Sequence, residues 1–266
     1  MFCRAKGCLL YARRPILADH LWLFKPFFCS QREYNESDGL AFSATALSKL
    51  ESRRRGGMLI TIDGGDGSGK GKQIDFLRSW LANRQLEYVF LRDPGDTDLG
   101  EAVRDLLLHR NDLAICPKAE LALFMASRAQ LVHEKIKPAL ENGKVVLVDR
   151  YLLSTVVYQG YAVGSPDEEL EWIWRIGKYL ADGIMPEITF VLDCPSQIAF
   201  ERINRTKDRM ESKGSDFRRR VAEGYRQAVS DWEKFGLGEV YLIDATLSPD
   251  EVFARIRTVL EDRVAR

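Results

Sequence analysis

The chain is 266 residues long, 45% hydrophobic, and carries 39 Lys+Arg against 39 Asp+Glu. That supplies one or two globular domains with a buried core, and the neutral balance argues for neither a nucleic-acid partner nor a membrane surface. No run of about 18 apolar residues occurs, so no helix is expected to cross a membrane. Five cysteines (Cys3, Cys8, Cys29, Cys116 and Cys194) form no CxxC or Cys/His ligand spacing, which fits free thiols in a reducing, cytoplasmic setting. His20, His109 and His133 are scattered and suggest no histidine-based site.

Charge is unevenly placed. Residues 1–57 hold ten Lys/Arg against five Asp/Glu, whereas the remaining 209 hold 29 against 34. In that first segment Arg13-Arg14-Pro15 precedes ILADHLWLFKPFF, an apolar run broken by Asp19, His20 and Lys25. The run is too interrupted for a signal peptide, and no A-x-A site follows it. Three readings stay open: a disordered or overextended start, a basic transit peptide, or a small functional module. Low order is expected over 1–57, and one domain is expected over 58–266.

From Met58 the sequence alternates strand and helix patterns. MLITIDG is a short β-branched run ending in glycines and predicts a buried strand. Ile74, Leu77 and Leu81 follow at helical spacing. EYVFLRD, KVVLVDR, ITFVLDC and VYLIDA predict four more strands. Between them EAVRDLLL, AELALFMASRAQLVHEKIKPALENG (closing at Gly143), PSQIAFERINR and DEVFARIRTVLEDRV predict helices. Strands apolar on both faces and separated by helices predict a three-layer α/β/α sandwich around a parallel sheet.

Between the first strand and the first helix lies Gly64-Gly65-Asp66-Gly67-Ser68-Gly69-Lys70, a match to G-x-x-x-x-G-K in the context that motif requires. Its glycines let backbone N–H groups turn around a phosphate; the helix N-terminus and Lys70 add positive charge. The next residue usually supplies a hydroxyl to Mg²⁺, but here it is Gly71, followed by Lys72. The loop predicts a nucleotide-phosphate site over residues 64–71, which the resemblance below assigns to ATP, and leaves open whether the acceptor is water or another substrate.

Three further stretches narrow the class: RDPGDTDLGEAVRDLLL, LFMASRAQLVHEKIKPALENGKVVLVDRYLLSTVVYQG and DRMESKGSDFRRRVAEGYRQ. With the loop, they resemble the bacterial thymidylate kinases in order and spacing over essentially all of Met58–Arg266. Asp149-Arg150-Tyr151, followed by Ser154 and Tyr158-Gln159-Gly160, is the most specific element. The resemblance implies a P-loop nucleoside-monophosphate kinase fold with a mobile lid. It further implies transfer of the ATP γ-phosphoryl group to dTMP with Mg²⁺, and a homodimer.

Residue by residue, the resemblance assigns Lys70 to the ATP phosphates and Arg150 to the dTMP phosphate and the group in transit. Asp66 approaches the sugar hydroxyl or the phosphates, and Asp149 orients Mg²⁺-bound water; its alternative is a structural ion pair. In the acceptor pocket Phe124 stacks on thymine, Arg128 reaches the base edge, and Arg104 contacts the acceptor phosphate. Asp93 and Pro94 border it. Thr155 and Gln159 read the base, and Tyr158 crowds the ribose 2′ position. The lid spans about 202–213. Arg202, Arg205 and Arg209 are spaced as on one helical face, and Arg209 is the arginine expected to reach the phosphates on closure.

The sequence also departs from the family pattern. Arg-Glu-Pro-Gly-Gly-Thr is Arg92-Asp93-Pro94-Gly95-Asp96-Thr97 here, so an acid replaces a glycine beside an anionic substrate. Asp63 ends the first strand where Glu is common. Two alternatives therefore stay open beside a dTMP kinase: a monophosphate kinase of other base preference, and a nucleotide-binding regulator impaired in transfer.

Overall fold

The computed structural model describes residues 56–203, 208–231, 234 and 238–264; apart from Gly56 and Gly57, the expected N-terminal extension lies outside them. Five strands form one sheet: β1 (Met58–Gly64), β2 (Tyr88–Arg92), β3 (Val145–Asp149), β4 (Ile188–Asp193) and β5 (Glu239–Asp244). Their order is β2-β3-β1-β4-β5, and every pairing is parallel. All five correspond to the predicted runs.

Side chains alternate across each strand, so each face needs its own cover. Leu59, Val146, Val148 and Val191 point to one face, and Ile60, Ile62, Leu147, Phe190 and Leu192 to the other. The first face is covered by α2 (Asp98–Leu108), α3 (Pro117–Leu131), α5 (Leu152–Gln159), α6 (Asp167–Leu180) and α8 (Ser215–Ser230). The second is covered by α1 (Lys70–Asn83), α7 (Ser196–Glu201) and α9 (Pro249–Val264). The predicted α1 stripe of Ile74, Leu77 and Leu81 is buried there. This is the expected three-layer sandwich. Leu147 and Phe190 have no exposed surface, and burying each contributes about 1.5–3 kcal/mol.

One polar pair sits inside the sheet. Thr61 and Thr189 are buried on β1 and β4, and their hydroxyl oxygens lie 3.0 Å apart in a hydrogen bond. The helix predicted to close at Gly143 is interrupted: α3 passes through a π-helical turn, Val132–Ile136, into a short α4, Lys137–Glu141. Gly143 then turns the chain with φ 74.

The chain leaves β1 for β2 and β3 on one side, then crosses to β4 and β5 on the other. Clefts form at the carboxyl ends of strands where such a sheet changes direction. The phosphate loop leaves β1 there. Asp149 ends the adjacent β3, in register with Ile62 of β1 and Arg92 of β2, and Arg150 follows it.

Candidate active site

A cleft of about 480 Å³ opens over these strand ends. Seven cations line it (Lys70, Lys72, Arg92, Arg104, Arg128, Arg150 and Arg202) against four acids (Asp66, Asp93, Asp149 and Asp208). That surplus suits strongly anionic ligands. Phe124, Thr155, Tyr158, Gln159 and Pro94 complete the wall at one end, and Gly67, Gly69 and Gly71 at the other. Gly64, Gly65 and Ser68 form the loop behind that surface.

The loop owes its shape to glycines at positive φ: Gly64 at 139, Gly67 at 81 and Gly69 at 97. At Gly67 a Cβ would also come within 1.9 Å of the Ala199 carbonyl oxygen on α7, so the loop is seated on that helix. Lys70 folds its ammonium back onto the loop, donating to the carbonyls of Gly64 (3.0 Å) and Gly65 (2.9 Å). Burial, reinforced by the nearby Arg150 charge, pulls its pKa down to about 8. Gly71 faces open space, with nothing within 4 Å of a built Cβ. Lys72 lies over the Phe76 ring at 4.8 Å while bordering the cleft mouth.

Arg150 occupies the centre. Its backbone takes φ 66, and its N–H donates to the Ile62 carbonyl at 3.0 Å, which anchors it beside β1. The guanidinium donates to Asp66 Oδ1 (2.5 Å), the Gly64 carbonyl (2.9 Å), Ser154 Oγ (3.1 Å) and Tyr225 Oη (3.1 Å). Tyr158 donates its hydroxyl to Asp66 Oδ2 at 2.9 Å. Burial raises the Asp66 pKa, but the Arg150 and Lys70 charges outweigh it and hold the carboxyl below the usual range. Behind them Ser154 donates to buried Asp63 Oδ1 at 2.6 Å. Burial dominates at Asp63 and pushes its pKa up.

At the other end, α3 carries Glu120, Phe124 and Arg128 at i, i+4 and i+8, one above another on a helix face. Arg128 is buried. It donates to Asp93 Oδ2 (2.6 Å), Thr155 Oγ1 (2.7 Å) and the Tyr151 carbonyl (3.2 Å). Thr155 is thus engaged by Arg128. Burial raises the Asp93 pKa against the opposing pull of Arg128. Arg104 donates to the Pro94 carbonyl at 2.8 Å and faces the cleft. Asp96, the acid in place of glycine, keeps a left-handed backbone with φ 58. Its carboxylate turns back to accept the Arg92 N–H at 2.5 Å and is absent from the cleft wall.

Arg202 and Arg209 do not share one helical face. α7 stops at Glu201, and Arg202 caps it, donating to the Ala245 carbonyl at 2.9 Å on the loop side. Arg209 lies on the opposite side, donating to the Leu107 carbonyl (2.8 Å) and to Glu120 Oε2 (2.7 Å). Asp208 and Met210, its neighbours, line the cleft, whereas Arg209 does not. Arg205 lies outside the described residues.

For a divalent metal, the telling group is Asp149. Its Oδ1 is buried without a hydrogen-bond partner, and the residue lines the cleft near Lys70 and Arg150. Asp63 Oδ2 behind it is likewise unpartnered. Carboxylate oxygens are the donors Mg²⁺ prefers, and that ion keeps most of its waters rather than filling an all-protein cage. The residues fit a hydrated Mg²⁺. Among the described residues no cluster of three or more His, Cys, Asp or Glu is present.

Two site residues escaped the sequence reading. Glu120 accepts from Arg209, Lys213 and Gln159, and its i, i+4, i+8 spacing with Phe124 and Arg128 is the signal that finds it. Tyr225 on α8 bonds Arg150 and Ser154, yet in the sequence it is one more apolar-face residue.

A thymidylate kinase family model matches residues 62–256. The thymidylate kinase of Kosmotoga olearia is 38% identical over 201 residues, covering 75% of this chain and 93% of the relative. That of Thermosipho africanus is 39% identical over 205 residues, 77% of this chain and 98% of the relative. That of Bifidobacterium longum subsp. infantis is 39% identical over 216 residues, 79% and 90%.

Proposed function

The chain belongs to the thymidylate kinase family, and we propose that it transfers the γ-phosphoryl group of ATP to dTMP, releasing dTDP and ADP. The observation that carries this reading is a single cleft with a phosphate loop at one end, a Phe124–Arg128–Gln159 pocket at the other, and Arg150 between them. The bond from the γ-phosphorus to the β,γ-bridging oxygen breaks as a dTMP phosphate oxygen bonds to the same phosphorus. Such transfer needs positioning and charge neutralisation more than covalent help from the protein.

The loop amides and Lys70 hold the ATP phosphates. Arg150 touches the dTMP phosphate and the moving group, exchanging part of its hold on Asp66 for them. Arg104 adds charge at the acceptor phosphate. Phe124 stacks on the base and Arg128 donates to its edge, while Tyr158 and Asp66 border the sugar. Arg209 leaves Glu120 to reach the phosphates when both nucleotides are in place, and the cleft then excludes the water that would hydrolyse ATP.

Mg²⁺ belongs to the proposal as well: Asp149, and Asp63 behind it, would hold it through its waters, and the ion would neutralise charge on the phosphates. The missing residue-71 hydroxyl is thereby replaced. A cytoplasmic location fits these substrates. A homodimer is supported by Trp172 and Tyr179, exposed at 58% and 72% and seven residues apart on one face of α6.

The test is ADP release by the purified full chain with ATP, Mg²⁺ and, in turn, dTMP, dUMP, dCMP, UMP and AMP. Highest kcat/KM with dTMP is expected. Preference for another acceptor overturns the substrate, and no turnover with any of them overturns the transfer.

A further inference from the structure

We propose that Glu120 is a positioning residue that fixes which end of the Gln159 amide faces the base, and thereby selects against cytosine. This rests on the reading of the cleft as a dTMP site.

A carboxylate accepts hydrogen bonds and donates none. Glu120 is 4% exposed, and its oxygens take hydrogen bonds from Arg209 (2.7 Å), Lys213 (2.7 Å) and Gln159 Nε2 (3.0 Å). Burial raises its pKa, but the bonds from Lys213 and Gln159 more than offset this, and the side chain stays ionised. Gln159 is itself buried on α5, the helix that faces α3. Facing an acceptor-only neighbour, its amide must present nitrogen to Glu120. The oxygen is then the end left for the cleft.

The cleft thus offers a matched pair of polarities. Arg128 carries only donors, and Gln159 Oε1 only accepts. Thymine and uracil present the complement, a C4 carbonyl acceptor beside an N3–H donor. Cytosine presents the reverse, an amino donor beside an N3 acceptor. A free amide would turn its nitrogen to cytosine N3 and relieve one of the two mismatches; one pinned by a carboxylate keeps both. A buried polar group left facing a like group loses far more than a missing contact costs. Arg209 and Lys213 belong to the lid segment, so the carboxylate that orients the amide is also the one to which those cations are tied.

The experiment compares full-length wild type with Glu120→Gln, measuring kcat/KM for dTMP, dUMP and dCMP with saturating ATP and Mg²⁺. Glutamine at 120 can donate as well as accept, so the Gln159 amide is released to turn. The dTMP:dCMP ratio is expected to fall about tenfold to a hundredfold, with the dTMP:dUMP ratio unchanged, because uracil shares the imide edge. Effects on the lid lower all three substrates together and cancel in the ratios. A dTMP:dCMP ratio within about twofold of wild type overturns the proposal, as does a parallel fall in both ratios. Should that variant not fold, Glu120→Asp, which withdraws the carboxylate from Gln159 by one methylene, is held to the same outcomes. Wild type inactive on dTMP overturns the functional reading, and this inference with it.

Discussion

Arg150 and Asp66 hold each other across the middle of the cleft at 2.5 Å, with side chains only 17% and 25% exposed. One comes from the end of β3 and the other from the loop after β1, so the sheet's central pairing sets their distance. The acid keeps the guanidinium extended over the cleft, where the proposed transfer brings two phosphate groups together.

Replacing Arg150 by Ala should therefore cut kcat with dTMP by about 100- to 1,000-fold, the usual loss when a preorganised transition-state donor is removed. ATP affinity, measured by titration calorimetry, should change far less because Lys70 and the loop amides remain. Weakened binding with kcat unchanged would assign Arg150 to ground-state binding instead.

With Lys70 in its proposed place on the ATP phosphates, ATP binding is expected to depend on pH. The lysine's pKa of about 8 in the folded protein lies below the ordinary 10.5. Between those values the unfolded chain holds the proton and the folded chain does not, so this group's contribution to stability rises with pH in that window. Binding has the opposite sign, because an uncharged lysine attracts phosphate less. ATP affinity should weaken as pH climbs above about 8 while the midpoint of urea unfolding shows no matching loss from this residue; Lys70→Met should abolish the affinity trend.

Gly71 lies in the first turn of α1 with open space where a side chain would go. Alanine there should raise stability by about 0.5–1 kcal/mol, because glycine loses more freedom on folding. Urea denaturation reads this directly, and a lower midpoint would mean position 71 is strained. Most of the activity should survive, since no side-chain atom of residue 71 is in use.

Arg128→Met strips the buried Asp93 carboxylate of its charge partner. Their side chains are 3% and 0% exposed, and breaking such a pair from one side costs about 3–5 kcal/mol. Adding Asp93→Ala should restore part of that loss. A double-mutant cycle giving additive effects would show that the two side chains act independently.

The sequence carried the sheet plainly, because parallel strands buried on both faces are continuous apolar runs. The phosphate loop was equally legible, since its glycines are demanded by backbone geometry. α5 was not: all eight of its residues are buried, so no polar face marks it as a helix. Periodicity misled at the lid, where a spacing of three and seven suggested one helix but the helix ends at Glu201 and sends Arg202 and Arg209 to opposite sides. Glu120 shares a helix face with Phe124 and Arg128, but that spacing alone also fits a solvated early-helix glutamate, because the partners that bury it lie 39, 89 and 93 residues away. Asp96 in place of a glycine suggested repulsion with substrate, but the Arg92 backbone N–H holds its carboxylate away from the cleft wall.

The hydrogen bond between Thr61 and Thr189 joins residues 128 positions apart, and it marks when this enzyme can first exist. The strand bearing the phosphate loop is among the first made, yet one of its two flanking strands is among the last. At about 5–20 residues per second, the ribosome leaves β1 waiting on the order of ten seconds for β4. Until then the loop has no floor on that side and α7 is not there to seat Gly67, so a nascent chain carries the nucleotide-binding sequence well before it can hold a nucleotide.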